Sequence, residues 1–178
     1  MVTGLAPIHR LCASKFFFYL VEGNPAHQRH LEATRLPFAI ALLTSERRYV
    51  VDFHFRGESD NSYPGDGSSG ATVFPERTED FGVFGYPPMI VLRVPGRRLD
   101  DLVQEEGWPY TFDLVELDVQ GSELEVLRGG SRVLSHATFV LMECSVLPMN
   151  AGSPLLHEAV TFMATRGFQV VDVTDVSH

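Results

Sequence analysis

Three acids in this 178-residue chain stand where they could do chemistry: Glu22, Asp118 and Glu143. Each closes an apolar run rich in β-formers: FFFYLV before Glu22, the Leu114–Val119 stretch that carries Asp118, and ATFVLM before Glu143. If the three runs are parallel strands, the carboxylates gather along one sheet edge, where open α/β folds bind their ligands. A carboxylate accepts two hydrogen bonds at once, which suits ribose hydroxyls, and an acid after the second strand of a nucleotide-binding unit commonly does that work. Taken singly, each acid serves equally well as a cap for a following helix.

The segment FDLVELDVQGSELEVLRGG, residues 112–130, is the unit around which the rest is arranged. Its strand, Leu114 to Val119, stops at the turn signal Gln120-Gly121. A helix is expected to start at once, with Ser122 as N-cap and Glu125 completing a capping box. Glu123 falls in the first turn, where the helix dipole favours a carboxylate. Leu124 and Leu127 form an apolar stripe, and Gly129-Gly130 reads as a C-cap.

The other elements follow the same logic. Phe16 to Val21 reads as a strand, and Asn24-Pro25 as N-cap and first residue of a short helix to about Ala33. Phe38 to Leu43 is the next strand, which completes a βαβ unit. Tyr49 to Phe55 alternates like a strand with one solvated face. Residues 56–70 have the Gly, Ser, Asp and Asn content of a loop, and a loop of this length is functional or mobile. It is expected to cover the substrate entrance. Met89 to Val94 reads as a strand and Leu99 to Leu102 as the start of a short helix. Ser153-Pro154 opens a helix closed by Gly167, and Phe168 to Val176 alternates as a last strand. Pro7 followed by IHRLCA reads as the end of a helix.

Composition limits the function. The length suits one domain, 1–178, with a single core. The net charge of −9 argues against a nucleic-acid partner. No segment approaches the ~20 apolar residues of a membrane span, and the FFFYLV run leads into Glu-Gly-Asn-Pro rather than a cleavage site. Cys12 and Cys144 supply neither a metal spacing nor a disulfide framework, so a reduced, cytoplasmic setting is expected. His27 and His30 with Glu32 nearby fit a solvated helix face better than a metal pair, and no metal is expected. Glycine-rich dinucleotide and P-loop patterns are absent, as is a Gly-x-Ser-x-Gly elbow.

The block LDVQGSELEVLRGG, then Glu143-Cys144-Ser145, Asn150 to Pro154 and Arg166-Gly167-Phe168, resembles the FkbM-type family of S-adenosylmethionine-dependent methyltransferases. Upstream, FYLVEGNP, ALLTS and LDDL match in the same order, so the resemblance runs from about Phe16 to Val173. It implies an α/β fold: a Rossmann-like class I methyltransferase sheet, mostly parallel, in the order 3-2-1-4-5-7-6 with helices on both faces. It implies S-adenosyl-L-methionine as cofactor, Glu22 on the ribose, residues Leu42 to Ser45 beside the adenine, and Gln120 in the same site. Asp118 and Glu123 are then the catalytic candidates, with Asp118 as general base or as an orienting group. Glu143 and Ser145 are the substrate candidates. The implied reaction is O-methylation of a small-molecule or sugar-like acceptor by in-line attack.

Three departures accompany the match. No Asp-x-Gly-x-x-x-Gly-like loop precedes Phe16, and no Gln-x-Asp strand follows, so the sheet is expected to be incomplete at both ends. Glu116 puts a carboxylate inside the central strand, where burial demands a partner or a proton. An unpaired edge between Phe16–Val21 and Leu114–Val119 is expected to close by direct pairing, to be filled by another chain, or to be filled by a strand further upstream in the native protein, and self-association is expected of this chain alone. A non-catalytic module that kept the fold is the alternative function, and an unrelated α/β small-molecule binder a third.

Overall fold

The computed structural model describes residues 15–56, 71–75, 89–148 and 150–174. The expected loop 56–70, apart from Arg56, and the expected helix end near Pro7 lie outside the described residues. The described strands form three ladders. β1 (Leu20–Glu22) pairs in parallel with β2 (Phe38–Ile40), and β3 (Leu42–Leu43) pairs in parallel with β5 (Met89–Arg97). β4 (Arg48–Arg56) pairs antiparallel with β5, and β6 (Leu114–Leu117) pairs in parallel with β7 (Phe139–Met142). The result is a mixed α/β fold with parallel sheet segments.

The crossovers follow from local chemistry. After β1, the Asn24 side chain accepts from the Ala26 N–H at 3.0 Å and Pro25 opens a 3-10 turn, Pro25–His27. That turn continues into α1 (Gln28–Thr34), which stops at Arg35 in the left-handed region (φ 60°). The expected strand Phe38 to Leu43 forms in two pieces. Its first half bonds to β1, its second to β5, and the Ala41 N–H between them donates to the Glu22 carbonyl at 2.8 Å. One extended segment thus ties two ladders together.

α2 (Leu99–Glu105), α3 (Glu123–Gly129), α4 (Ser131–His136) and α5 (Leu156–Ala164) supply the main core. Val103, Leu124, Val126, Leu127, Val133, Leu134 and Met163 are buried there against Leu117 of β6. Asp100 is buried as well, but its carboxylate accepts from the Arg132 and Val133 N–H groups at 2.9 and 3.1 Å, which caps α4 from a neighbouring helix. A buried acid is tolerated where its oxygens are bonded in this way.

α3 lies backbone to backbone against the end of β3. A Cβ on Gly129 would collide with the Thr44 carbonyl oxygen and stand 3.4 Å from the Arg98 Cα. Gly129 is therefore needed for close approach, and α3 ends there with Gly130 as its expected glycine C-cap, before α4 begins at Ser131. Gly129→Ala is expected to destabilise the fold by about 1–3 kcal/mol, the usual cost of overpacking. A urea midpoint equal to that of the unsubstituted protein would refute the close packing.

Several sequence expectations are corrected. The first strand begins at Leu20 rather than Phe16, and Phe17 is 96% exposed. The strand expected from Phe168 to Val176 does not form through residue 174, the last described, and Val171 is 82% exposed. Alternation marks a face that fits a sheet, yet a strand also needs a neighbour to bond, and none is present among the described residues. β1 and β6 do not pair directly among the described residues. Aromatic contacts span the gap instead: the Tyr19 ring lies 5.8 Å from Phe112 and 5.2 Å from Trp108. Glu116 points to the exposed side of β6, so it is not a core carboxylate. Partial burial, then the nearby Asp118 charge, still raise its pKa.

Candidate active site

The register of one strand pair builds the centre of the site. Leu117 of β6 pairs with Met142 of β7, and the Glu143 N–H donates to the Leu117 carbonyl at 3.0 Å. The next residues, Asp118 and Glu143, therefore leave the sheet side by side at its carboxyl edge, on strands roughly 4.8 Å apart. Two carboxylates so placed repel each other when both are charged, and a third side chain bridges them. The Gln120 amide nitrogen donates to Asp118 Oδ1 at 2.8 Å and to Glu143 Oε2 at 2.6 Å.

The crowding shows in the protonation of Glu143. Its pKa is pushed up to about 7, first by burial, then by a hydrogen bond with Asp118 and the charges of Asp118 and Glu123, against the opposing Gln120 donor. The proton belongs to the pair, which holds it below about pH 7 and releases it above. The adjacent Cys144 thiol is raised too, by burial and then by Glu123 and Glu143.

Gln120 is held in an unusual backbone. Its φ is 51°, and Gly121 follows at 97°, so two consecutive residues are left-handed. The Gln120 carbonyl accepts from the Thr72 hydroxyl at 2.8 Å and from the Asn150 amide at 3.2 Å. Thr72 is itself fixed by two 2.8 Å backbone bonds with His54 of β4. The β4–β5 hairpin thus reaches the site through one threonine.

The expected capping box does not form. Ser122 makes no capping bond, and its buried hydroxyl has no partner among the described residues. Glu123 takes over: its Oε1 accepts from the Val119 and Gly121 N–H groups, each at 3.2 Å. The Ser122 N–H that a capping box would offer to Glu125 donates instead to the Val119 carbonyl at 3.3 Å, and the left-handed turn points its own donors at Glu123. Burial raises the Glu123 pKa, partly opposed by these backbone bonds. Glu125 turns instead to Ser45, whose hydroxyl donates to it at 2.6 Å, and to Arg128 at 3.0 Å. Burial pushes the Glu125 pKa up, but Ser45 and Arg128 outweigh it and leave it lowered.

Asp118, Gln120, Glu123 and Glu143 are therefore brought together. The other candidates sit elsewhere. Glu22 ends β1, where it accepts from the Asn24 N–H at 2.7 Å and faces His27 Nδ1 at 3.2 Å. Leu42 is buried in β3 beside Gly23, and Ser45 belongs to the Glu125 group. Ser145 contributes its carbonyl to the Leu156 N–H at 2.8 Å, which anchors the start of α5. His27 and His30 have ring centres 6.2 Å apart, and no group of three His, Cys, Asp or Glu able to hold a metal occurs among the described residues. A cleft of about 1040 Å³ runs between β4, α3 and α5, lined by Arg48, Phe74, Arg128 and His157 among others, without the acid pair.

Sequence reasoning missed Thr72, Asn150 as a clamp, and His27 as the partner of Glu22. Only Asn150 carried a signal, through its place in the Asn150–Pro154 motif. Thr72 follows the loop with no pattern of its own.

No helix among the described residues is long and apolar enough to cross a membrane. No solved structure matches the chain. The 2-O-methyltransferase NoeI of Sinorhizobium fredii is 41% identical over 54 residues, which are 30% of this chain and 22% of that protein. The chain thus matches about a fifth of that relative's length. The methyltransferase FkbM domain matches residues 3–170, reaching upstream of Phe16, where the motif resemblance stopped, and on that match the chain belongs to the FkbM methyltransferase family.

Proposed function

We propose that the chain is an S-adenosylmethionine-dependent O-methyltransferase acting on a hydroxyl of a small-molecule, sugar-like acceptor, on a Rossmann-like class I sheet. The observation that carries the reading is the Asp118–Gln120–Glu143 group at the carboxyl ends of two parallel strands. Ligands of open α/β folds bind at that edge. A carboxyl pair that titrates near neutral pH can accept a proton from an acceptor hydroxyl as its oxygen becomes a nucleophile.

Glu22 fits the cofactor. A carboxylate has about four acceptor positions. Asn24 and His27 engage Glu22 on separate oxygens, and its side chain is 21% exposed. Acceptor capacity remains for two ribose hydroxyls, with Leu42 beside the adenine and Ser45 further along the same strand end. When bound, the cofactor supplies an electrophilic methyl group. The chain's own residues align the acceptor, and Asp118 with Glu143 takes its proton, while Ser145 and Glu143 border the acceptor. Glu123 contributes through the turn.

Calorimetric titration with S-adenosylmethionine, followed by transfer of a labelled methyl group to hydroxylated acceptors, tests the reading. Neither binding nor transfer would favour a non-catalytic module. The pH dependence is a separate check. The base form of the pair exists above its titration, so transfer should fall as pH drops through about 7. In Glu143→Gln the coupled charge is gone, and the midpoint of the rate profile should move to lower pH. Initial rates between about pH 5 and 9 measure this; a flat profile in the unsubstituted enzyme would remove the pair from proton transfer.

A further inference from the structure

The backbone on either side of Gln120 is tied down by two N–H groups and one carbonyl. The Val119 and Gly121 N–H groups both donate to Glu123 Oε1, and the Gln120 carbonyl between them accepts from Thr72 and Asn150. Glu123 is 4% exposed, so no ready water replaces its oxygen at those donors. Gln120 occupies a left-handed conformation that a non-glycine residue keeps only when its surroundings hold it. Once that backbone is fixed, the side-chain amide has few directions left, and the one it takes spans Asp118 and Glu143.

We propose that Glu123 is a positioning residue whose buried carboxylate locks the Val119–Gly121 turn and so keeps the Gln120 amide between Asp118 and Glu143. This rests on the reading of Asp118 and Glu143 as the proton-accepting pair. Removing the Glu123 oxygen leaves two turn donors without an acceptor, and buried donors do not stay so. The turn then relaxes, the amide withdraws, and the two carboxylates face each other without a bridge. The role is separate from that of a base, because a neutral oxygen in the same place serves it as well. The groups facing Glu143 are Asp118 from β6, Gln120 from the turn and Glu123 from α3. Removal of the Glu123 charge alone should therefore also be felt at Glu143.

The first arm uses the ligand-free protein. In Glu123→Ala, amide exchange at Val119 and Gly121 should accelerate at least about tenfold while Leu127 in the same helix stays protected. In Glu123→Gln, whose carbonyl still accepts, protection at both amides should persist and the carboxyl titration of Glu143, followed by carbon NMR, should move below about 7. The second arm is methyl transfer. Glu123→Ala should lose about ten- to a hundredfold in kcat with unchanged cofactor affinity, and Glu123→Gln should recover most of it. Unchanged exchange at Val119 and Gly121 in Glu123→Ala overturns the proposal. So does Glu123→Gln as inactive as Glu123→Ala, which makes Glu123 a catalytic residue. If Glu123→Ala does not fold, loss of turn protection in Glu123→Gln overturns it equally. Failure of the unsubstituted protein to bind cofactor or transfer methyl defeats the functional reading, while the exchange arm still decides the role of Glu123.

Discussion

Asp118→Asn should lower kcat for methyl transfer by about a hundred- to ten-thousandfold, the range expected when a general base is removed. The substitution isolates the chemistry from the scaffold. Asparagine keeps the shape of Asp118 and still offers an oxygen to the Gln120 amide, which now lies 2.8 Å from Oδ1. Asp118 is exposed, so the fold should not suffer. The change also removes one of the charges that raise Glu143, whose carboxyl then ionises more readily and becomes a weaker base. Glu143 can therefore rescue only part of the rate. Cofactor affinity should stay within about threefold, because the ribose contact is assigned to Glu22 and not to this pair. A kcat reduced less than about tenfold would leave Asp118 an orienting group.

The acid pair was legible in the sequence because its geometry follows from one-dimensional facts. Two apolar strands of matching length end in acids, and a parallel register that aligns Leu117 with Met142 sets Asp118 beside Glu143. The Asn24-Pro25 helix start was legible for a similar reason, since the cap and the proline act within three residues. What the sequence hid depends on distant neighbours or on backbone sign. The S-x-x-E pattern at Ser122 and Glu125 predicts a capping box, yet the left-handed Gln120–Gly121 turn brings the Ser122 N–H onto the Val119 carbonyl and out of reach of Glu125. Glu125 was freed for Ser45, a partner 80 residues away. Thr72 reaches Gln120 over 48 residues, and nothing local marks it.

The sheet teaches the same lesson at larger scale. Apolar content in Phe16–Val21 and Leu114–Val119 says that both segments suit a sheet, and it does not say which edges meet. Among the described residues β1 and β6 each find one parallel partner, and the approach between them is made by Tyr19 against Phe112 and Trp108 rather than by a ladder. The outer face of β6–β7 stays open, with Leu114 and Phe139 more than half exposed. Self-association through this face or through an unpaired edge remains our proposal.

Glu22→Ala should weaken S-adenosylmethionine binding by about ten- to a hundredfold, since hydrogen bonds to a charged acceptor contribute roughly 1.5–3 kcal/mol. The carboxylate is already oriented before any ligand arrives. Oε1 accepts from the Asn24 N–H, which belongs to the turn that opens the 3-10 helix, and Oε2 faces His27. Little freedom is left to lose on binding, so nearly all of the contact should register in the affinity. Two controls separate the ribose contact from the turn. Glu22→Gln keeps one oxygen for the Asn24 N–H, so the turn survives while the charge is lost, and binding should weaken by a smaller factor in the same direction. His27→Ala removes the side-chain partner of Oε2 without touching an acceptor for the hydroxyls, and should change affinity by less than about threefold. The order Glu22→Ala weaker than Glu22→Gln, and that weaker than His27→Ala, is the expected result of calorimetric titration. Equal affinity across the unsubstituted protein and Glu22→Ala, in a chain that does bind the cofactor, would take Glu22 out of the site and leave its carboxylate as the cap of the turn it already serves.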